Sequence, residues 1–186
     1  MNLIAGFNWL DFLMLLLIIA STIIGFTQGL LRQVIGLAAL YVAAVLGAQY
    51  YVVLSDWIGK ISMQGSTNRF LNAFSFLVIL FVVSSVINWL AFDAYRSTKL
   101  RIAPLIDQVG GTVLGLVTVS ITIAVILPVL TFATSEPWPW SESARLFVLK
   151  GMQTSQILPI FNLLIPLLLN GIRPWLPAGL PSLFGI

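Results

Sequence analysis

Four stretches without a charged side chain, residues 12–31, 33–54, 70–92 and 109–133, dominate this chain and leave it few folds to choose from. About twenty apolar residues, rising about 1.5 Å each as a helix, cross a hydrocarbon slab of about 30 Å. Inside that slab no water satisfies a backbone amide or carbonyl, so a lone segment must close its hydrogen bonds on itself. The expectation is an all-α integral membrane protein with four transmembrane helices, at about 11–31, 33–54, 70–92 and 109–133.

Composition supports the same class. Hydrophobic residues make up 59% of the 186 positions and charged residues 8%, too little polar surface to cover a soluble globule. The net charge of +3 is scattered over the chain, which argues against nucleic acid as a partner and leaves the lipid bilayer as the expected one. Cysteine and histidine are both absent, removing disulfides, the usual zinc and haem ligands and the commonest general base. No metal and no cofactor is expected. The start, MNLIAGFNWLDF, has no lysine or arginine ahead of its apolar run and reads as a retained helix, not a cleaved signal.

The chain divides into a membrane part, residues 1–135, and a C-terminal segment, 136–186. Residues 55–69, with Gly59 and Gly65, read as a loop; residues 93–108 carry Arg96, Lys99 and Arg101. Pro128 falls near the end of the fourth span, where it bends a helix. Beyond it, tryptophans alternate with prolines at 138–140, and residues 157–169 are strongly apolar yet only about 20 Å long as a helix. With Pro159 and Pro166 this stretch is expected to be an interfacial or re-entrant piece docked on the bundle.

Close packing of small residues holds helices together where lipid removes the hydrophobic drive. Such residues recur four apart at Ser21, Gly25 and Gly29, at Ala39, Ala43 and Gly47, and at Gly111 and Gly115. Charges sit at helix ends. Asp11, next to Asn8 and Trp9, reads as a cap with an interfacial belt; Arg32 follows Gly29 at the turn between the first two spans; Asp107 precedes Gly110 and Gly111 and meets the positive end of the fourth helix. Within the spans the best polar pair is Ser84 and Asn88, expected to hydrogen-bond between helices. No span carries a central ionisable group of the kind ion-coupled carriers use, and no phosphate loop, nucleophile elbow or paired carboxylates appear. Nothing at residue level points to an enzyme.

Taken in order, NWLDF at 8–12, GLLRQ at 29–33 and IDQVGGTVLG at 106–115 resemble the colicin V production protein family of small bacterial inner-membrane proteins. The match falls on Trp9, Leu10, Asp11 and Phe12, on Gly29, Leu30 and Arg32, and on Asp107, Gly111 and Gly115. SQILP at 155–159 is similar to the family's short C-terminal segment. The departures all lose charge: Gln28, Gln33 and Gln108 stand where the family pattern carries arginine, glutamate and arginine. The resemblance implies a role in colicin V production or export and in envelope homeostasis, without an established reaction.

The expected function is therefore non-enzymatic, with helix-mediated association with a second copy or a membrane-protein partner. The alternatives are a small transporter or channel subunit, or an accessory subunit of a larger complex. Gly25, Gly29, Gly111 and Gly115 are expected to set close helix contacts, with Arg32 and Asp107 fixing helix ends. Four basic residues in the first and third loops against Lys60 and Arg69 in the second put those two loops in the cytoplasm, though Arg145, Lys150 and Arg173 add to the opposite side.

Overall fold

The computed structural model describes residues 6–61, 69–96, 104–138, 140–176 and 181–184. Within them the chain is helical throughout. Four long helices, α1 (Trp9–Gln28), α2 (Leu30–Ile61), α3 (Arg69–Arg96) and α4 (Pro104–Thr134), are each long and apolar enough to cross a membrane. Three short ones follow, α5 (Glu142–Thr154), α6 (Leu158–Asn162) and α7 (Ile165–Ile172), and then two 3-10 turns, Arg173–Trp175 and Ser182–Phe184. Lys99, Arg101 and Gly65 lie outside the described residues.

A capping box starts α1: the Asn8 side chain accepts from the amides of Leu10 and Asp11, and the Asn8 amide donates to Asp11 at 3.0 Å. Gly29 ends it at φ +81°, a conformation that side chains other than glycine's rarely adopt, and α2 begins at the next residue. The helices on either side of this turn part company. α1 lies antiparallel along α4, while α2 pairs with α3 and runs parallel to α4, so the hairpin expected of the first two spans is opened by α4 between them. Every other helix touches α4.

Threonine and serine suit α4 to this place. Thr112, Thr118, Ser120, Thr122, Thr131 and Thr134 each donate to the carbonyl four residues back at 2.7–3.0 Å, so no hydroxyl is left to seek water. One half of the core gathers Leu40, Ala43, Phe76, Val125 and Val129; the other gathers Leu10, Met14, Ile123, Leu127 and Phe161. Phe76 fills the space over Gly47, where a Cβ would lie 3.0 Å from its ring.

Helix α2 runs past the expected boundary at Leu54 to Ile61. Ser55 and Gly59, read from sequence as the start of a loop, are buried on its inner face, and packing outweighs their poor helix propensity. Helices α3 and α4 likewise extend into the connecting segment at 93–108.

The C-terminal segment turns 82° at the break after α5. It enters the bundle beside Asp11, descends until Gly171 accepts a hydrogen bond from the Tyr41 hydroxyl at 2.9 Å, and then turns back. On the return the Trp175 carbonyl accepts from Gln49 at 2.8 Å, Ser182 lies 3.5 Å from the Tyr51 hydroxyl, and Phe184 meets Phe76 edge to face at 5.6 Å. Tyr41 and Tyr51 are about 15 Å apart along α2 at about 1.5 Å per residue, so the path is that of a re-entrant hairpin.

Candidate functional site

Two junctions, one at each end of α1, bring the motif residues together. At the first, α1 crosses α4 backbone to backbone. Gly25 and Gly111 face each other so closely that a Cβ on either would run into the other's carbonyl oxygen. A Cβ at Gly115 would lie 2.7 Å from the Ser21 carbonyl, and the Ser21 hydroxyl donates to the Gly115 carbonyl at 2.7 Å. A Cβ at Gly29 would land on the Asp107 carboxylate.

That carboxylate reaches across to another helix. It lies in the first turn of α4 and accepts the amide of Leu30 at 2.8 Å, capping α2 across the bundle. The lack of a side chain at Gly29 is what admits it. Arg32 is half-buried in the first turn of α2, next to the buried Gln33. Five sequence-predicted residues, Gly25, Gly29, Asp107, Gly111 and Gly115, thus meet at one crossing, with Arg32 one turn away.

The second junction was only half visible in the sequence. Asp11 is fully buried, and its carboxylate accepts from the backbone amides of Asn8, Gln156 and Ile157 at 3.0–3.1 Å and from the Ser155 hydroxyl. Among the described residues no lysine or arginine pairs with it; the buried charge is held by hydrogen bonds, which are stronger to an ion than between neutral groups. Asn8 adds donations to the Gly151 carbonyl at 2.6 Å and the Thr154 hydroxyl at 2.8 Å. Trp9 stacks on Phe147 at 4.9 Å and lies over Gly151, where a Cβ would come 2.7 Å from its ring nitrogen. The cap expected at Asp11 is therefore also the anchor that binds α5 and α6 to the start of α1. Sequence reading missed Ser155, Gln156 and Gly151 as its partners; the SQILP resemblance was the only signal for the first two, and Gly151 had none.

At the same end of the bundle the last carbonyls of α4 are closed by side chains. Arg145 donates to the Thr134 carbonyl at 2.7 Å, Trp138 to the Ala133 carbonyl at 2.8 Å, and Arg69 to the Ser135 hydroxyl at 2.8 Å while pairing with Glu136 at 2.9 Å. Hydrogen bonds from Arg145 hold the Glu142 carboxyl below its usual range, and Glu142 in turn raises the Arg145 guanidinium.

Ser84 and Asn88 depart from expectation. Ser84 donates to Phe81 and Asn88 to Ser84, both within α3, and the Asn88 side chain stays exposed on the helix face. No group of three or more acidic, histidine or cysteine residues placed to hold a metal occurs among the described residues. Both motif carboxylates, Asp11 and Asp107, are engaged by backbone amides.

The profile of the colicin V production protein family matches residues 10–162, a stretch that holds both junctions apart from Asn8 and Trp9 and stops at the end of α6. The chain belongs to this family. As a colicin V production family member it is a multi-pass membrane protein. It is 25% identical over 138 residues to the colicin V production protein homolog of Haemophilus influenzae, covering 74% of this chain and 82% of that relative. No solved structure matches. In this family member the four motif stretches pair two by two: NWLDF with SQILP around Asp11, and GLLRQ with IDQVGGTVLG around Asp107.

Proposed function

We propose that this protein is a non-enzymatic component of the bacterial inner membrane that supports toxin production or export, or envelope homeostasis, by associating through its helices with a second copy or another membrane protein. The observation that carries this reading is Asn88. Its carboxamide is exposed in an open groove between α3 and α2, where a Cβ at Gly36 would lie 3.6 Å from its oxygen, on a helix that also presents Phe81 and Trp89, 73% and 70% exposed. Facing hydrocarbon, a side-chain amide retains unpaired donor and acceptor capacity, and it is satisfied when a neighbouring helix supplies the complement. The glycine stripes of α1 and α4 are occupied within the chain, which leaves α3 as the face for association. Engagement of both motif carboxylates by backbone amides supports an architectural role for the motifs over a chemical one.

The chain lacks cysteine, so a single Asn88→Cys reports on association without background. In native membranes it is expected to crosslink to a copy of itself or to one discrete partner, and Asn88→Leu is expected to weaken co-purification of the same species. Absence of any discrete adduct would reject the association reading, and solute flux by the purified protein in proteoliposomes would favour a transporter or channel. The positive-inside balance supports a cytoplasmic placement of the Gly29–Asp107 end. Labelling of Ser143→Cys but not Gln108→Cys by an impermeant maleimide on intact spheroplasts is the expected pattern; the reverse would invert the topology.

A further inference from the structure

Where the re-entrant segment leans on the last turns of α4 it leaves a cavity of about 500 Å³. That volume falls in the range of roughly 300–1,000 Å³ typical of small-molecule sites. Its walls are apolar, with Leu127, Pro128, Phe132 and Ile165 among them, and its polar lining includes Arg69 and Asn162. The Asn162 side chain is exposed and has no hydrogen-bond partner among the described residues. Arg69 is fixed by a contact with the Phe132 ring at 5.3 Å, by its donation to Ser135 and by its pairing with Glu136, and both members of that pair are 46% exposed. Its Nη2 has no partner among the described residues.

The chemistry of this lining selects an occupant. A long apolar wall with a charged opening at the end of a membrane bundle fits an amphiphile. Arg69 of the lining carries Glu136 beside it at 2.9 Å, so a purely anionic headgroup that meets Arg69 also meets the opposite charge and gains little from the pair. A headgroup carrying a phosphate and an ammonium complements both, the phosphate drawn to the Arg69 guanidinium at Nη2 and the ammonium to the Glu136 carboxylate. Asn162, as an amide donor within the cavity, matches an ester carbonyl below such a headgroup. We propose that this cavity is a binding site for one zwitterionic, amine-bearing phospholipid, with an acyl chain against the α4 and α7 walls and its headgroup across the Arg69–Glu136 pair.

Native mass spectrometry of the full chain in mild detergent, titrated with phosphatidylethanolamine or phosphatidylglycerol of identical acyl chains, tests this. The unmodified protein is expected to retain phosphatidylethanolamine preferentially, and Arg69→Gln to lower that adduct about tenfold, as loss of one charge-assisted hydrogen bond predicts. Because Arg69 also ties the start of α3 to Ser135 beyond the end of α4, the deciding variant is Glu136→Gln. It leaves the guanidinium uncompensated and is expected to reverse the preference toward phosphatidylglycerol. Equal retention of the two lipids, no adduct with either, or a preference that Glu136→Gln leaves unchanged would overturn the proposal.

Discussion

Asp11 is an aspartate with no room and, among the described residues, no countercharge, which makes it the residue whose removal has the most defined consequence. Replacing it with alanine strips the partner from three part-buried backbone amides and a buried hydroxyl. A cost of about 3 kcal/mol is expected for Asp11→Ala and about 1 kcal/mol for Ser155→Ala, since the second removes one donor and leaves the amides in place. Thermal unfolding in detergent, followed by tryptophan fluorescence with Trp9 stacked nearby, measures both. Glu142 and Arg145 answer to pH. The folded Glu142 carboxyl titrates below its unfolded range, so its contribution is complete above that range and fades as pH falls through the folded value. Unmodified protein is therefore expected to melt above Glu142→Gln at neutral pH, and the two curves to converge in acid. Neither pairing could be read from the residues alone, because a lone aspartate between aromatics looks the same whether it caps its own helix or grips a segment 144 positions away.

Between elements, the decisive contact is the glycine crossing of α1 and α4. Gly111→Leu is expected to force the helices apart and lower stability by more than about 2 kcal/mol, the scale of overpacking in a close-packed site. Gly25→Leu should do the same. Because each glycine excludes the other's side chain, the double variant is expected to cost much less than the sum of the singles. Gly171→Ala, where a Cβ meets nothing within 4 Å, is the control expected to leave melting unchanged. The stripe was legible because small residues four apart fall on one helix face. Which helix it faces was not: spacing along a chain identifies a face and carries no information about the partner, which geometry supplies as α4. The four spans themselves were readable for the opposite reason, since hydrocarbon forbids charge over a fixed length. Their ends were not, because outside that length Ser55 and Gly59 answer to packing, and their burial carries α2 on to Ile61.

For the whole molecule, α1 acts as a strut about 30 Å long at about 1.5 Å per residue, joining a junction that fixes the four-helix core to one that fixes the C-terminal hairpin. The hairpin contributes Leu169, Ile172, Leu183 and Phe184 to the core around Phe76, so its loss exposes apolar surface that α2, α3 and α4 share. Docking at Asp11 and burial along α2 belong to one structural unit, and a thermodynamic cycle separates that arrangement from two independent attachments. Truncation after Thr154 removes Ser155, Gln156 and Ile157 together with the hairpin, and is expected to lower the melting temperature while the remaining chain keeps its helicity by circular dichroism. In that shortened background Asp11 retains only its capping bond from the Asn8 amide, so the cost of Asp11→Ala is expected to fall from about 3 to about 1 kcal/mol. An undiminished cost would mean that Asp11 stabilises α1 alone, and that the hairpin is held in the bundle by its apolar face without the anchor.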